Sequence, residues 1–137
     1  VEQGQNRKII TINGIKILPL VCYDLRFPVW SRNRQDYDLM VNVANWPAAR
    51  RHIWDTLLKA RAMENQTFVV GVNRIGEDGR NTPHSGGTTI IDFTGDTIVS
   101  AADNKQQIIT TQLDFSKLKK FKHDFPAFLD ADEFELK

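Results

Sequence analysis

An α/β or α+β fold with a largely buried sheet is predicted for this 137-residue chain by three features. Apolar segments of strand length recur at residues 15–21, 38–44 and 68–72. The stretch between the second and third, residues 48–65, has apolar residues at helical spacing. Turn dipeptides Asn13-Gly14 and Thr94-Gly95 lie inside alternating segments at either end and predict two hairpins.

Taken in order, residues 9–12 alternate apolar and polar, and Asn13-Gly14 turns the chain into a strand over 15–21. Ile17, Leu18, Leu20 and Val21 make that strand almost continuously apolar, which predicts cover on both faces. It ends at Cys22; residues 23–27 read as a turn, and Pro28 opens a short helix to Arg34, since proline suits a first helical turn. A second buried-type strand spans 38–44. Pro47 then introduces the helix 48–65, with Ile53, Leu57 and Ala60 on its apolar stripe and Trp54, Leu58 and Arg61 beside it. After a strand at 68–72, residues 76–87 are rich in Gly, Asn, Asp and Pro and read as a loop. The second hairpin pairs 88–93 with 96–101, a last strand covers 108–113, and a short helix covers 115–121. The tail carries Phe125, Phe128, Leu129 and Phe134, too apolar to stand free in water, and is expected to dock.

Eighteen basic and seventeen acidic side chains leave a net charge of +1, which provides no electrostatic attraction for nucleic acid or an anionic membrane. No apolar run approaches a membrane span, the first residues are polar, and the single cysteine cannot form an internal disulfide; a cytoplasmic location is expected. Asn65-Gln66-Thr67 fits the glycosylation pattern but reads as a chance match. The chain starts at Val1 without an initiator Met.

Cys22 stands where an apolar strand stops and a polar turn begins, ahead of a predicted helix. Backbone N–H groups and the positive end of a helix at such a junction lower a thiol pKa and stabilise an oxyanion. The competing reading is a cysteine that only packs. Of the three histidines, His52 falls early in a helix, His84 in the long loop and His123 near the end; His84 is the best partner for a Cys/His mechanism. One cysteine and dispersed histidines leave no zinc spacing, and Gly86-Gly87 lacks the lysine of a phosphate loop. Asp24 is expected to cap its turn, Glu64 to pair with Arg61, and Asp130, Asp132 and Glu133 to be solvated.

Val21-Cys22-Tyr23-Asp24-Leu25-Arg26-Phe27-Pro28 resembles the nucleophile segment of the nitrilase superfamily, the carbon–nitrogen hydrolases. Asn45-Trp46-Pro47 with Trp54 and Arg61-Ala62-Met63-Glu64-Asn65-Gln66, then Asn73-Arg74-Ile75-Gly76 and Ser85-Gly86-Gly87, resemble the segments that follow it there. Val29-Trp30-Ser31-Arg32-Asn33 and the ending around Phe125-Pro126-Ala127 are most similar to the omega-amidase branch, which deaminates 2-oxoglutaramate-like acids. The resemblance implies an α-β-β-α sandwich that pairs with a second copy. It also implies a Glu–Lys–Cys triad with Cys22 as nucleophile and no cofactor or metal, acting on a small-molecule amide. The Tyr23 backbone N–H would serve the oxyanion hole. The family's glutamate and lysine find no match: Lys8 and Lys16 lie too near Cys22. Residues 1–137 are thus expected to be the C-terminal portion of a single hydrolase domain. Trp46, at the end of the strand next to Cys22, is expected to wall the pocket, and Arg50 or Arg51 to hold a substrate carboxylate; a core tryptophan and two solvated arginines are the bland alternative. A homodimer is expected. The rival functions are a Cys/His acyl-transfer enzyme and a non-catalytic binding or scaffold subunit of the same fold.

Overall fold

A computed structural model of the chain describes residues 6–135. Strands β1 (Ile10–Ile12) and β2 (Ile15–Val21) pair antiparallel through a turn in which Asn13 and Gly14 both take positive φ, 50° and 80°. Two successive residues in that region match the twist of the flanking strands, and Asn-Gly is the pair that enters it at least cost. β2 then lies parallel to β3 (Leu39–Ala44), and β3 parallel to β4 (Phe68–Asn73). Parallel neighbours require crossovers. The first runs through a 3₁₀ turn at Cys22–Arg26 and the short helix α1 (Pro28–Ser31); the second runs through a 3₁₀ turn at Ala48–Arg50 and the long helix α2 (Arg51–Asn65). A separate two-stranded hairpin, β5 (Ile75–Glu77) and β6 (Pro83–Ser85), precedes β7 (Thr89–Ile91) and β8 (Thr97–Ser100). Among the described residues the main sheet has the order β1-β2-β3-β4-β7-β8. Helix α3 (Phe115–Asp124) follows, capped by the Asp114 carboxylate, which accepts from the Ser116 and Lys117 N–H groups.

The core lies between α2 and one face of the sheet. Trp54, Leu58 and Ala62 pack on Leu18, Leu20, Met40, Val69 and Ile91. The helix sits so close that a Cβ at Gly71, in β4, would lie 2.5 Å from Leu58 Cδ1 and 2.8 Å from Trp54 Cζ2. Trp54 Nε1 donates to the Gly87 carbonyl at 2.8 Å, so the polar atom of this buried ring is satisfied. Arg61 is buried as well; its guanidinium donates to the Leu25 carbonyl at 2.6 Å and pairs with Glu64 at 2.8 Å, the partner anticipated at i+3. The helix stops at Gln66, whose φ of 47° and ψ of 58° turn it left-handed.

The opposite face is only partly covered. At one corner Phe68 makes edge-on contacts with Phe93 and with Phe115 of α3. At the other end Val21, Val43 and Val72 stand side by side in register, 62%, 47% and 42% exposed. β2 is therefore covered on one face only, with Leu18 and Leu20 buried and Pro19 and Val21 out, contrary to the two-sided cover expected from its composition.

Other expectations are corrected. The helix opened by Pro28 ends at Ser31, not Arg34, because the Asn33 side chain captures the N–H groups of Asp36 and Tyr37 in a local turn. The helix expected over 48–65 starts as a 3₁₀ turn, and its buried stripe is Trp54, Leu58, Arg61, Ala62 and Asn65, with Ile53 and Leu57 at the margin. The loop expected over 76–87 contains the β5–β6 hairpin, whose turn is held by the Asp78 carboxylate accepting from the Arg80 and Thr82 N–H groups. The last strand expected at 108–113 does not form: Ile108 is 93% exposed and no ladder reaches it, so its β propensity has no neighbour to pair with. Asn65 is buried and bonded to the Asn33 N–H and the Arg61 carbonyl, so the sequon around it is inaccessible. In the tail, Phe125 and Leu129 remain exposed, while Phe134 lies against the Arg32 and Arg34 guanidinium groups. Among the described residues no helix is long and apolar enough to cross a membrane.

The close seat of α2 makes a definite demand at Gly71. Gly71→Ala is expected to lower the unfolding free energy by about 1–3 kcal/mol in urea denaturation, the usual cost of overpacking. Leu58→Val should cost less in that background than alone, because valine lacks both Cδ atoms that the new methyl group meets. Additive effects would show that the contact is not the source of the loss.

Candidate active site

The parallel strands β2, β3 and β4 point their carboxyl ends at the same edge of the sheet, the edge where open α/β sheets bind ligands. Three segments leave the sheet there: Cys22 after β2, Asn45-Trp46-Pro47 after β3 and Asn73-Arg74 at the end of β4.

Cys22 is half-buried and packs against the core, and its backbone holds φ at 47°. A side chain in the left-handed region costs roughly 1–2 kcal/mol, and such residues concentrate at sites where a sharp strand-to-helix turn presents a nucleophile. The turn is tied off as anticipated by Asp24, whose carboxylate accepts the Val21 N–H at 3.0 Å while its carbonyl accepts the Phe27 N–H at 3.1 Å. The element after Cys22 is a five-residue 3₁₀ turn, not a full helix, so little helix dipole acts on the thiol; the local N–H groups are what the turn provides. The Tyr23 N–H is among these, and its ring lies exposed, edge-on to Phe27 with centroids 5.2 Å apart.

Trp46 is buried, 5.5 Å from Trp54 between ring centroids, and donates from Nε1 to the Arg50 carbonyl at 2.8 Å. It stands at the same edge of the sheet as Cys22 and belongs to the core cluster. Above it the Arg26 guanidinium stacks 5.2 Å from the ring centroid. Arg51 is already engaged, through Nε and Nη1, by Asp55 at 2.8 Å, Asp103 at 2.8 Å and Ser85 Oγ at 3.3 Å. Arg50 is exposed, and its guanidinium has no ion-pair partner among the described residues.

Two residues were not singled out from the sequence for this edge. Arg26 ends the Cys22 turn and rests on Trp46. Asn73 ends β4 with its side chain buried and bonded to Trp46 and to Gly86. In the sequence Asn73 is marked only as the first residue of the Asn73-Arg74-Ile75-Gly76 segment and as a polar residue closing an apolar strand, with no role attached. The histidines do not join them: His52 and His123 are exposed, His84 is buried in the separate β5–β6 sheet, and none is hydrogen-bonded to Cys22 among the described residues. No three His, Cys, Asp or Glu side chains of the described residues gather as a metal site. Two cavities, of about 310 and 660 Å³, share Arg32, Asn33, Gln35, Phe128, Ala131 and Phe134 and lie against the tail, away from Cys22.

The carbon-nitrogen hydrolase family profile matches residues 1–123. The chain is 48% identical over 133 residues to the omega-amidase YafV of Yersinia enterocolitica, covering 97% of this chain and 52% of that protein. It is 36% identical over 132 residues to the 2-oxoglutaramate amidase of Paenarthrobacter nicotinovorans, covering 95% and 43%. The solved structure of XC1258 from Xanthomonas campestris, a CN-hydrolase superfamily protein with an arsenic adduct in its active site, superposes with a TM-score of 0.95 at 42% identity over 99% of this chain and 54% of that one. The chain thus spans about half the length of the curated relatives it matches. A family profile over most of the chain, a shared fold and the Cys22 motif at the carboxyl edge of the sheet agree: the chain belongs to the carbon–nitrogen hydrolase family of the nitrilase superfamily, in its omega-amidase-like branch.

Proposed function

We propose that residues 1–137 form the C-terminal portion of a single hydrolase domain and supply the nucleophile of an amidase that releases ammonia from a small amide. The observation that carries this reading is Cys22, held at φ 47° on a strand-end turn inside the matched family segment. The Cys22 sulfur attacks the amide carbon, the C–N bond breaks as nitrogen takes up a proton and leaves as ammonia, and a thioester remains. Water then adds to the thioester carbon, the C–S bond breaks, and a carboxylic acid and the thiol are released. The Tyr23 N–H is one donor to the oxyanion, a contact typically worth roughly 100- to 1,000-fold in rate. The family's glutamate base and lysine have no match in this chain and belong, in this reading, to the rest of the domain. The open row of Val21, Val43 and Val72 supports it, as an apolar face suited to a second sheet. A cytoplasmic location, in keeping with a free working thiol, belongs to the same reading.

The names of the relatives support an omega-amide of a dicarboxylic acid, of the 2-oxoglutaramate type, as substrate. With Arg51 engaged, Arg50 is the candidate to receive the far carboxylate, while Trp46 acts from behind by holding Arg26 and the Arg50 backbone. The exposed apolar side chains of Tyr23, Phe27, Val29 and Met63 support a self-complementary contact between two copies.

In the full-length protein Cys22→Ala should abolish ammonia release while leaving the melting temperature nearly unchanged, and iodoacetamide should label Cys22; an active Ala variant would end the proposal. Arg50→Ala should raise KM for a dicarboxylic monoamide by roughly tenfold or more, the size of one charge-assisted bond, and leave a neutral amide unaffected. Equal effects on both substrates would reject the carboxylate contact. Light scattering of the full-length protein at micromolar concentration should report a dimer, and a monomer would count against the contact.

A further inference from the structure

We infer that Asn73 is a positioning residue for this site: its carboxamide stands in for a length of strand, fixes the Trp46 backbone, and through Trp46 steadies the turn that carries Cys22. The inference rests on the amidase reading for its kinetic consequences and on geometry for the rest.

The β3–β4 ladder stops at the pair Ala44 and Asn73. Beyond it the chain of β3 continues to Trp46, which is buried, so its backbone N–H and carbonyl need partners that the ladder no longer supplies. The Asn73 side chain, an amide like the peptide itself, provides both. Its Oδ1 accepts the Trp46 N–H at 2.7 Å, and its Nδ2 donates to the Trp46 carbonyl at 3.0 Å. The same nitrogen donates to the Gly86 carbonyl at 2.7 Å, so both of its protons are used. Asn73 is itself pinned: its N–H donates to Thr88 Oγ1 at 3.0 Å, and that hydroxyl returns a bond to the Asn73 carbonyl at 3.2 Å.

These bonds do not join helix to sheet. They join the end of β4 to the segment after β3 and to the segment that enters β7, at the Cys22 edge of the sheet. From Trp46 the constraint passes on by contact: Arg26, the last residue of the turn that begins at Cys22, stacks on the indole. Trp46 and the last residue of the Cys22 turn are thus in direct contact, and a displaced indole would take from Arg26 the face it rests on. The core contacts of Trp54 and Leu58 with the sheet would survive loss of the Asn73 carboxamide, whereas the path of residues 45–47 would not.

The charged and titratable neighbours are Arg26 on Trp46, Arg74 next in the chain, Arg51 bonded to Ser85, and His84 in the strand just before Gly86. A carboxyl group placed at position 73 would face the Trp46 and Gly86 carbonyls in a buried setting, which disfavours its ionised form and raises its pKa. Neutral, it keeps one acceptor and one O–H donor; ionised, it donates nothing.

The test uses the full-length protein with Asn73→Asp and Asn73→Leu, assayed for kcat and KM on a dicarboxylic monoamide, for the rate of Cys22 alkylation by iodoacetamide, and for tryptophan fluorescence. At about pH 8 both variants should lose roughly tenfold or more in kcat/KM at a temperature well below their melting points, the scale on which small misplacements act. Between about pH 8 and pH 5.5, the activity of Asn73→Asp relative to wild type at the same pH should rise as its carboxyl becomes neutral, and its fluorescence should move toward wild type. Asn73→Leu, which carries the same His84, should show no such recovery. A variant that merely melts earlier while keeping wild-type kcat and KM overturns the inference, as does an Asn73→Asp profile parallel to that of Asn73→Leu. If wild type itself releases no ammonia, the amidase reading fails separately. Alkylation rates then decide the positioning role, unchanged rates in both variants rejecting it and altered rates supporting it. Should neither variant fold, Thr88→Val, which removes the hydroxyl pinning the Asn73 backbone, decides by the same measurements.

Discussion

Helix α2 can lie flush on the parallel strands only because β4 presents no side chain at Gly71, and most of the molecule is arranged around that seat. Trp54 and Leu58 occupy the space a Cβ would have taken, and the sheet face beneath them is sealed by Leu18, Leu20, Met40, Val69 and Ile91. The same helix carries Arg61 into the interior, where an unpaired charge would be costly. Its guanidinium is met by Glu64 at the helix surface and by the carbonyl of Leu25. Leu25 lies in the middle of the Cys22–Arg26 turn, so the helix that closes the core also grips the segment bearing the thiol.

That arrangement divides the sheet. One face is a finished core; the other shows a row of valines at the carboxyl ends of the parallel strands and is covered only near Phe68. The reactive edge lies where the two faces meet. Cys22 is kept there by a backbone conformation that few side chains adopt freely, and the turn around it is over-determined by the Asp24 carboxylate, the Arg61 contact and Arg26 stacked on Trp46. Strain of this kind persists only where the surroundings hold it, and the ties are contributed by three different parts of the chain.

Much of this was legible in the residues because it is local. The Asn13-Gly14 turn, the three apolar strand segments, the Asp24 cap and the Arg61–Glu64 pair depend on neighbours a few positions apart. Cys22 was marked by its place at the end of a strand and by a motif eight residues long. What escaped depends on partners far along the chain. Arg51 reads as a free cation until Asp103, remote in sequence, is found beside it. The packing of Trp46 on Trp54 joins residues whose pairing has no mark in the sequence. The segment at 108–113 has the composition of a strand, but strand formation needs a paired neighbour, and in the described residues none pairs with it. The β5–β6 hairpin was hidden by the opposite error, since Gly, Asn and Pro signal turns more strongly than the short strands between them signal pairing. Asn73 combines both difficulties: its work is done on Trp46 and Gly86, and its residue type alone suggests only a strand that has ended.

One covalent event underlies the proposed activity, the transfer of an acyl group from an amide to the Cys22 sulfur. Full-length protein turning over a dicarboxylic monoamide, quenched in acid and digested, should yield a peptide spanning Cys22 heavier by the acyl group alone, with the nitrogen gone. The adduct should be removed by hydroxylamine at neutral pH, which takes the acyl group from a thioester and releases the thiol. Turnover accompanied by an acyl group on another residue, or by no covalent intermediate even when hydrolysis is slowed, would contradict the assignment of Cys22 as nucleophile.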